Sequence, residues 1–302
     1  MENKIIIAGG SGFLGSEMIK FFQLKDYEIV VLTRGKSLKI ANIQHVHWDG
    51  ETLGTWIEEL EGAKAVINLS GKNVNCRFTE ANKKEILDSR VHSTTLIGKA
   101  IEKCQLPPEV WINASGISVY ADSYEKQMTE EDFELGTTFM SQVAQEWEKA
   151  IYQFDQLPIR KLAIRIGIVL GNEGALKILK KQTRFGLGGK HGNGKQMMPW
   201  IHIQDLIGIF DFAIQHDNLN QPLNGCSPHP ASDQQFMKTL RQVMKMPIGI
   251  PAPVFAIKIG AKILGTEADL ILSSTNAFPK RVLDAGYIFK FPDLKSALED
   301  LK

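Results

Sequence analysis

The sequence predicts an α/β protein with a doubly wound, mostly parallel sheet and a smaller C-terminal α/β lobe. Short apolar segments alternate with helical patterns from residue 5 to residue 171. The first apolar segment runs directly into a glycine-rich turn, and after Gly171 the alternation gives way to glycine- and proline-rich loops. Strands that alternate with helices of this length form a parallel sheet, and ligands bind at the carboxyl ends of such strands.

The glycine-rich turn is the most specific local signal. The strand Ile5–Ile7 is followed by Gly-x-x-Gly-x-x-Gly at Gly9, Gly12 and Gly15. Gly9 allows a sharp turn, Gly12 allows backbone N–H groups to approach a pyrophosphate, and Gly15 allows close packing of helix on sheet. A flexible loop without a ligand is the alternative. The helical pattern and second strand that follow favour a Rossmann dinucleotide-binding unit.

The residues that follow the second strand, 28–32, indicate which cofactor is preferred. Enzymes that use NAD usually place Asp or Glu about twenty residues beyond the glycines, to bind the ribose 2′-hydroxyl. This chain has Thr33 and Arg34 there. A guanidinium suits a 2′-phosphate, and the threonine adds a hydroxyl donor, so the sequence favours NADP(H). An ordinary solvated arginine is the alternative.

The remaining elements follow from periodicity and from helix and turn signals. Thr79 is the predicted N-cap of a long helix, and Pro107-Pro108 ends it. Beyond the second strand we predict strands at 44–49, 63–71, 110–116 and 161–171, and helices at 79–102, 138–154 and 254–264 with a final helix at the C-terminus. Residues 1–172 and 200–224 form the predicted NADP-binding domain, and 173–199 and 225–302 the substrate domain.

Composition narrows the choice of partners. The 302 residues carry 35 basic and 34 acidic side chains, a formal net charge of +1, so we expect neither nucleic acid nor a membrane as partner. The three cysteines, Cys76, Cys104 and Cys226, lack metal-ligand spacing, so we expect free thiols and no metal site. No segment resembles a signal peptide or a membrane span, which leads us to expect a cytoplasmic protein.

Several motifs together resemble the extended short-chain dehydrogenase/reductase superfamily, and within it an atypical group described as NAD-dependent epimerase/dehydratase-like or as nucleoside-diphosphate-sugar epimerases. The resemblance covers nearly the whole chain. The motifs that carry it are the turn 9–15, Thr33-Arg34, 68–71, Ser89-Arg90, Trp147-Glu148, 165–171, 185–189, 199–203 and 279–281.

The resemblance implies a set of cofactor-binding positions. Glu85 and Arg90 match helix positions that approach the cofactor, although a solvated helix face is the alternative reading of both. Val169 matches a position that lines the nicotinamide pocket. The phosphate turn, the 2′-phosphate site and the strip along the ribose correspond to Gly9, Ser11, Gly12, Phe13 and Leu14, to Thr33 and Arg34, and to Leu69 and Ser70.

Catalysis is where the chain departs from the resemblance. The superfamily normally uses Ser with Tyr-x-x-x-Lys, in which the lysine lowers the pKa of the tyrosine that transfers a proton. Here Phe139 or Met140 stands in place of the tyrosine and Val143 or a neighbour in place of the lysine. The candidate proton donors are therefore those at the end of strand 110–116 and in the turn after it: Ser115, Ser118 and Tyr120.

Alternatives remain at this point. Tyr120 also fits a packed structural tyrosine. His202 and Asp205 fit either an acid/base pair or a helix start with Asp205 as the N-cap. Two functions compete. The first is an NADP(H)-dependent oxidoreductase or epimerase acting on a small substrate, with a nucleotide-linked one among the candidates. The second is an NADP(H)-sensing regulator that has lost turnover, since some relatives carry a cell-division-inhibitor label.

Overall fold

A computed structural model describes residues 3–302 and contains an eight-stranded sheet, which confirms the predicted fold class. Its strand order is β11-β7-β6-β5-β1-β2-β4-β3. All neighbours are parallel except β3 and β4. The strands are β1 Lys4–Ala8, β2 Glu28–Thr33, β3 Leu38–Ile40, β4 Ile43–His47, β5 Ala65–Asn68, β6 Val110–Gly116, β7 Arg160–Ile166 and β11 Leu223–Gly225.

Helices cover both faces of this sheet. Alternate strand residues point to opposite faces, so Ile5 and Ile7 pack against one pair of helices, α1 and α5, while Ile6 packs against the other pair, α2 and α3. Both cores are apolar and buried. These helices are α1 Phe13–Gln23, α2 Glu80–Ile101, α3 Phe139–Tyr152 and α5 Ile203–Gln215, and short 3₁₀ helices lie at Thr55–Leu60 and Ile117–Val119.

The predicted strand 161–171 is interrupted at Gly167. The chain leaves β7 there and continues as β8, Ile168–Leu170, which pairs with β10, Trp200–His202. A Cβ at Gly167 would lie 2.0 Å from the Pro199 carbonyl oxygen, so only glycine fits at the division. Residues 162–170 are all apolar except Arg165 and Gly167, so the hydrophobic periodicity continues across the division and does not reveal the break.

The second half of the chain builds a smaller lobe with its own core. Leu170, Leu176, Trp200, Phe236 and Leu298 are among the side chains that bury one another there. In the described residues no helix is both long and apolar enough to cross a bilayer. The elements of the lobe are α4 Gly174–Arg184, β9 Met197–Met198, β12 Ala231–Ser232, α6 Asp233–Val243, α7 Val254–Leu264, α8 Asp269–Leu272 and α10 Leu294–Asp300. Helix α9, Lys280–Asp284, packs instead against the large sheet beside β11 through Val282.

His202, and not Asp205, caps helix α5. The His202 imidazole Nδ1 accepts a hydrogen bond from the backbone N–H of Gln204 at 3.2 Å. The Asp205 carboxylate lies inside the helix and accepts from the N–H groups of Lys290 and Phe291 at 2.7 and 2.8 Å. The expected capping role of Asp205 is therefore wrong: two orphan N–H groups of the C-terminal segment compete for its carboxylate.

Gly15 should be intolerant of any side chain. A Cβ on Gly15 would lie 2.5 Å from the Gly10 Cα, a backbone atom that cannot rotate away. We expect Gly15→Ala to lower the free energy of unfolding by about 1–3 kcal/mol or more through overpacking. Gly12→Ala is the matched control, because its Cβ would have only the Gly9 carbonyl oxygen nearby, at 3.6 Å. Equal urea midpoints for the two variants, without cofactor, would contradict this packing argument.

Candidate functional site

The glycine turn joins β1 to α1 and leaves open space above it. Gly9 adopts a left-handed φ of +80° and packs so closely on Leu69 that a Cβ would lie 2.9 Å from the Leu69 carbonyl carbon. Gly12 is the N-cap of α1, and no side chain caps its first turn. The N–H of Gly12 donates to the Gly9 carbonyl oxygen at 3.3 Å, whereas the N–H groups of the first turn of α1 are available to an anion, which the helix dipole also favours.

Three further residues of the turn complete the start of α1. Ser11 is exposed, while Phe13 and Leu14 are half-buried and pack against the sheet core. The Phe13 ring fills the space beside Gly171, where a Cβ would lie 2.4 Å from the Phe13 Cζ. The ends of β1 and β8 are thereby held together, with Val169 half-buried on β8 opposite Ile201.

Arg34 stands free at the end of β2. Thr33 is the last residue of that strand, and its hydroxyl accepts a hydrogen bond from the N–H of Gly35 at 3.2 Å. Arg34 is exposed, and within residues 3–302 its guanidinium makes no hydrogen bond or ion pair. A free guanidinium at this strand end is a suitable partner for a phosphate group.

Buried amides shape the end of β5, a feature that the sequence analysis missed. Asn68 Nδ2 donates to Asn113 Oδ1 at 2.7 Å and lies 3.0 Å from Thr94 Oγ1, while Asn68 Oδ1 accepts from the N–H of Ser70 at 3.0 Å. This network fixes the backbone of Leu69 and Ser70. The Ser70 hydroxyl is buried and has no partner among the described residues. The available signal was an asparagine in each of two consecutive apolar strands, Asn68 at the end of β5 and Asn113 in the middle of β6.

Helix α2 brings Arg90 to the end of β5. Its Nη1 donates to the carbonyl oxygens of Lys72 and Ile86 at 3.1 and 2.9 Å, and its guanidinium lies 4.9 Å from the centre of the Trp147 ring. Burial lowers the pKa of Arg90 to about 10. Glu85, one turn earlier, is exposed and forms an ion pair with Lys72. Both residues thus contact the segment that follows β5.

Ser115 and Tyr120 belong to a buried ionic network. The Ser115 hydroxyl donates to Glu148 Oε1 at 2.8 Å, and Glu148 forms a bidentate ion pair with Arg165 at 2.8 Å for both bonds. Arg165 Nη1 donates to the Tyr120 hydroxyl at 2.7 Å. That hydroxyl lies 2.9 Å from Asn224 Oδ1 on β11. The network thus joins β6, α3, β7 and β11 beneath the site.

This placement corrects the expectation for two of the three candidate donors. Ser115 and Tyr120 are 3% and 2% exposed, and both hydroxyls are occupied by partners. Burial, partly offset by Arg165, raises the pKa of Tyr120 to about 12. We therefore do not retain Ser115 and Tyr120 as catalytic residues, and Tyr120 takes the packed structural role that was its alternative.

Ser118 and Phe139 remain at the accessible end of β6. Ser118 is half-buried, and its hydroxyl donates to the carbonyl oxygen of Met140 at 3.3 Å. Phe139 is the first residue of α3, and its ring contacts Phe78 edge to face at 5.0 Å between centroids. Val143 is buried one turn later. The expected tyrosine and lysine positions therefore carry no group that can exchange a proton.

A residue of the smaller lobe contacts the loop that carries Phe78, one member of this aromatic pair. Glu267, just after α7, accepts a hydrogen bond from the N–H of Phe78 at 2.8 Å and lies 3.4 Å from Arg77 Nε. The loop that carries Phe78 is thus tied to the C-terminal lobe. Sequence reasoning missed Glu267 because no local pattern marks a contact between residues so distant in the chain.

Comparison with known proteins agrees with this arrangement. Residues 5–224 match the model of the NAD dependent epimerase/dehydratase family, and residues 252–301 match DUF1731, a domain of unknown function. Epimerase family protein YfhF of Bacillus subtilis is 32% identical over 298 residues, which cover 98% of this chain and 97% of that protein.

Solved structures show the same fold. The crystal structure of human epimerase family protein SDR39U1 with NADPH superposes with a TM-score of 0.86 at 30% identity and covers 99% of this chain and 98% of that one. MoeE5, in complex with UDP-glucuronic acid and NAD, superposes with a TM-score of 0.78 at 18% identity over 98% of this chain and 96% of its own, and shows the shared fold alone. The chain belongs to the NAD-dependent epimerase/dehydratase family.

Proposed function

We propose that this protein binds NADP(H) at the carboxyl end of β1, β2 and β5. The observation that carries the proposal is the set of unused groups there. Among residues 3–302, the first-turn N–H groups of α1 have no side-chain cap, the Arg34 guanidinium has no partner, and the buried Ser70 hydroxyl has none either. The solved structure of human SDR39U1 with NADPH supports the same choice of cofactor.

Each residue of the proposed cofactor site has a distinct role. Gly9, Ser11, Gly12, Phe13 and Leu14 form the turn that accepts the pyrophosphate. Thr33 and Arg34 bind the 2′-phosphate, Leu69 and Ser70 follow the ribose, Glu85 and Arg90 approach the cofactor from α2, and Val169 borders the nicotinamide. When bound, NADP(H) supplies or accepts a hydride.

The reaction that fits best is hydride transfer to or from a small substrate, as in an oxidoreductase or a nucleotide-sugar epimerase. The family and the fold shared with the UDP-glucuronic acid complex of MoeE5 support a small molecule, and a nucleotide-linked sugar is the finer proposal. Residues 173–199 and 225–302 would supply the substrate domain. Ser118 is the hydroxyl left to hydrogen-bond a substrate oxygen, in place of its long bond to Met140.

A second candidate function rests on a specific observation. Phe139 or Met140, and Val143 or a neighbour, stand where the resemblance places the usual proton-transfer pair, and the hydroxyls of Ser115 and Tyr120 are buried in the ionic network. A protein that binds NADP(H) and reports its presence to another component needs no proton donor. Mixing the NADPH complex with a panel of aldehydes, ketones and oxidised sugar nucleotides, and following NADPH absorbance, separates the two. Continuous turnover supports an oxidoreductase, and a single oxidation of the bound NADPH by a keto sugar nucleotide supports an epimerase, which returns the hydride in each cycle. Tight NADPH binding with neither result supports the regulator.

Arg34 should determine the preference between the two cofactors. We expect NADPH to bind at least tenfold more tightly than NADH, because the guanidinium makes a charge-assisted contact with the 2′-phosphate. Arg34→Ala should remove most of that preference, a loss on the order of 1.5–3 kcal/mol in NADPH binding measured by calorimetry. Arg184→Ala, another exposed arginine, is the control. Equal affinities of the unmodified protein for NADPH and NADH would refute the assignment.

Gly12→Val should abolish cofactor binding without unfolding the protein. The backbone of Gly12 is extended, with φ −78° and ψ 170°, and its Cβ would meet only the Gly9 carbonyl oxygen, at an ordinary contact distance of 3.6 Å, so valine fits the fold. The added side chain would occupy the approach of the pyrophosphate. We expect an unchanged melting temperature without cofactor and no NADPH binding. NADPH binding that survives this substitution would rule out the turn as the phosphate site.

Ser118→Ala should lower the turnover of any substrate found in the panel by roughly tenfold to a hundredfold, because a donor to the reacting oxygen is lost. Ser115→Ala is the comparison. Its hydroxyl contacts only the buried ion pair, so this variant should lose stability and keep its turnover per folded molecule. A larger loss of kcat in Ser115→Ala than in Ser118→Ala, at equal folded fraction, would reverse the assignment.

A further inference from the structure

The smaller lobe exposes an apolar helix face. Helix α7 is apolar along most of its length, yet only Ile257 and Ala261 are buried. Phe255, Ile259 and Ile263, spaced four residues apart, are 69%, 56% and 78% exposed. Residues at this spacing lie on one side of a helix, so the three side chains form a continuous stripe.

The stripe continues into a neighbouring pair of loops. The backbone N–H of Ile250 donates to the Gly186 carbonyl at 2.8 Å, and the N–H of Gly189 donates to the Ile250 carbonyl at 3.2 Å. The exposed side chains of Phe185 and Leu187 therefore adjoin Ile250, which precedes α7 by four residues. We call Phe185, Leu187, Ile250, Phe255, Ile259 and Ile263 the C-terminal apolar surface. Exposed apolar patches of this extent mark interaction sites.

The same part of the chain is strongly basic. Residues 173–199 and 225–265 contain eleven Lys and Arg but only two Asp and Glu, although the whole chain is nearly balanced. One of the two acids, Asp233, is buried against His191. Lys258 and Lys262 are exposed beside the apolar stripe, and neither forms an ion pair within residues 3–302. Over the whole of 173–199 and 225–302 there are sixteen Lys and Arg and eight Asp and Glu, so the near-neutral total charge of the chain conceals an excess of positive charge in this lobe.

We propose that the C-terminal apolar surface docks on an anionic lipid bilayer, with α7 lying in the plane of the interface. An amphipathic helix with lysines beside a large apolar face enters the boundary between headgroups and acyl chains, and its ammonium groups stay with the lipid phosphates. The charge selects this occupant. A second copy of the chain would bring two basic surfaces together, whereas an anionic membrane complements both the charge and the apolar side chains.

This mode of binding needs no membrane-spanning helix. The apolar side chains of α7 reach only the outer part of the bilayer, and electrostatic attraction supplies the rest of the affinity. Docking is independent of the proposed cofactor site, since no residue of the C-terminal apolar surface belongs to that site. The two proposals can therefore fail separately.

Vesicle flotation of the full-length protein tests the proposal. We expect binding to vesicles of equimolar phosphatidylcholine and phosphatidylglycerol, weaker binding at high salt, and none to phosphatidylcholine alone. Lys258→Gln with Lys262→Gln should weaken binding about fivefold for each lysine. Phe255→Ser with Ile263→Ser should weaken it at least tenfold. The matched control is Phe133→Ser with Ile288→Ser, two residues that are 89% and 88% exposed outside this surface.

Several results would overturn the proposal. Equal binding to anionic and neutral vesicles would remove the role of charge, and binding unchanged in both α7 variants would place the contact elsewhere. Absence of vesicle binding by the folded protein would also refute it. If light scattering then showed a dimer that Phe255→Ser with Ile263→Ser dissociates, the surface would be an interface between copies. NADPH binding, measured in parallel, should be the same in all variants.

Discussion

The bidentate ion pair between Arg165 and Glu148 holds the site together from below. It lies at the carboxyl half of the sheet, where Arg165 on β7 meets Glu148 on α3, and its remaining hydrogen-bonding capacity is filled by Ser115 and Tyr120. Burial opposes the charged form of Arg165, but the carboxylate outweighs it and raises the pKa of the guanidinium. Removing one partner would leave a buried charge, typically a loss of about 3–5 kcal/mol. The orientation of β6 and α3 at the site therefore depends on this pair.

Hydrogen bonds through Tyr120, Asn224 and Glu130 connect the ion pair to the start of α9. The Tyr120 hydroxyl donates to Asn224 Oδ1 on β11, and the backbone N–H of Asn224 donates to Glu130 Oε1 at 2.8 Å. The other Glu130 oxygen lies 3.3 Å from the N–H of Arg281 at the start of α9. Burial raises the pKa of Glu130, and hydrogen bonds from three backbone N–H groups partly oppose that effect. Ser115 near the end of β6 and Tyr120 in the turn after it therefore hold parts of the fold together, and Ser118 and the Phe78–Phe139 pair remain at the accessible end of β6.

Local patterns predicted the elements well and the side-chain roles less well. The glycine turn, the Thr79 cap and the strand at 110–116 each depend on neighbouring residues, so the sequence was sufficient to place them. Ser115 and Tyr120 could not be assigned from the chain, because their partners Glu148, Arg165 and Asn224 are brought to them only by the sheet. Asp205 was misassigned for the same reason: the N–H groups that occupy it come from residues more than eighty positions away. The break at Gly167 was hidden because apolar residues continue on both sides of it.

The net charge of the chain likewise fails to show how the fold distributes charged residues between the two lobes. A total of 35 basic and 34 acidic side chains indicates no charged partner when the chain is read as a whole. The fold separates these charges, because α5 and β11 return to the large sheet and leave the segments around α4, α6 and α7 with few acids. Glu267 then ties the end of α7 to Phe78 and Arg77 beside the candidate site. One carboxylate of the smaller lobe therefore fixes the end of α7 against the loop that carries Phe78, a contact between residues 189 positions apart that no local pattern of the sequence marks.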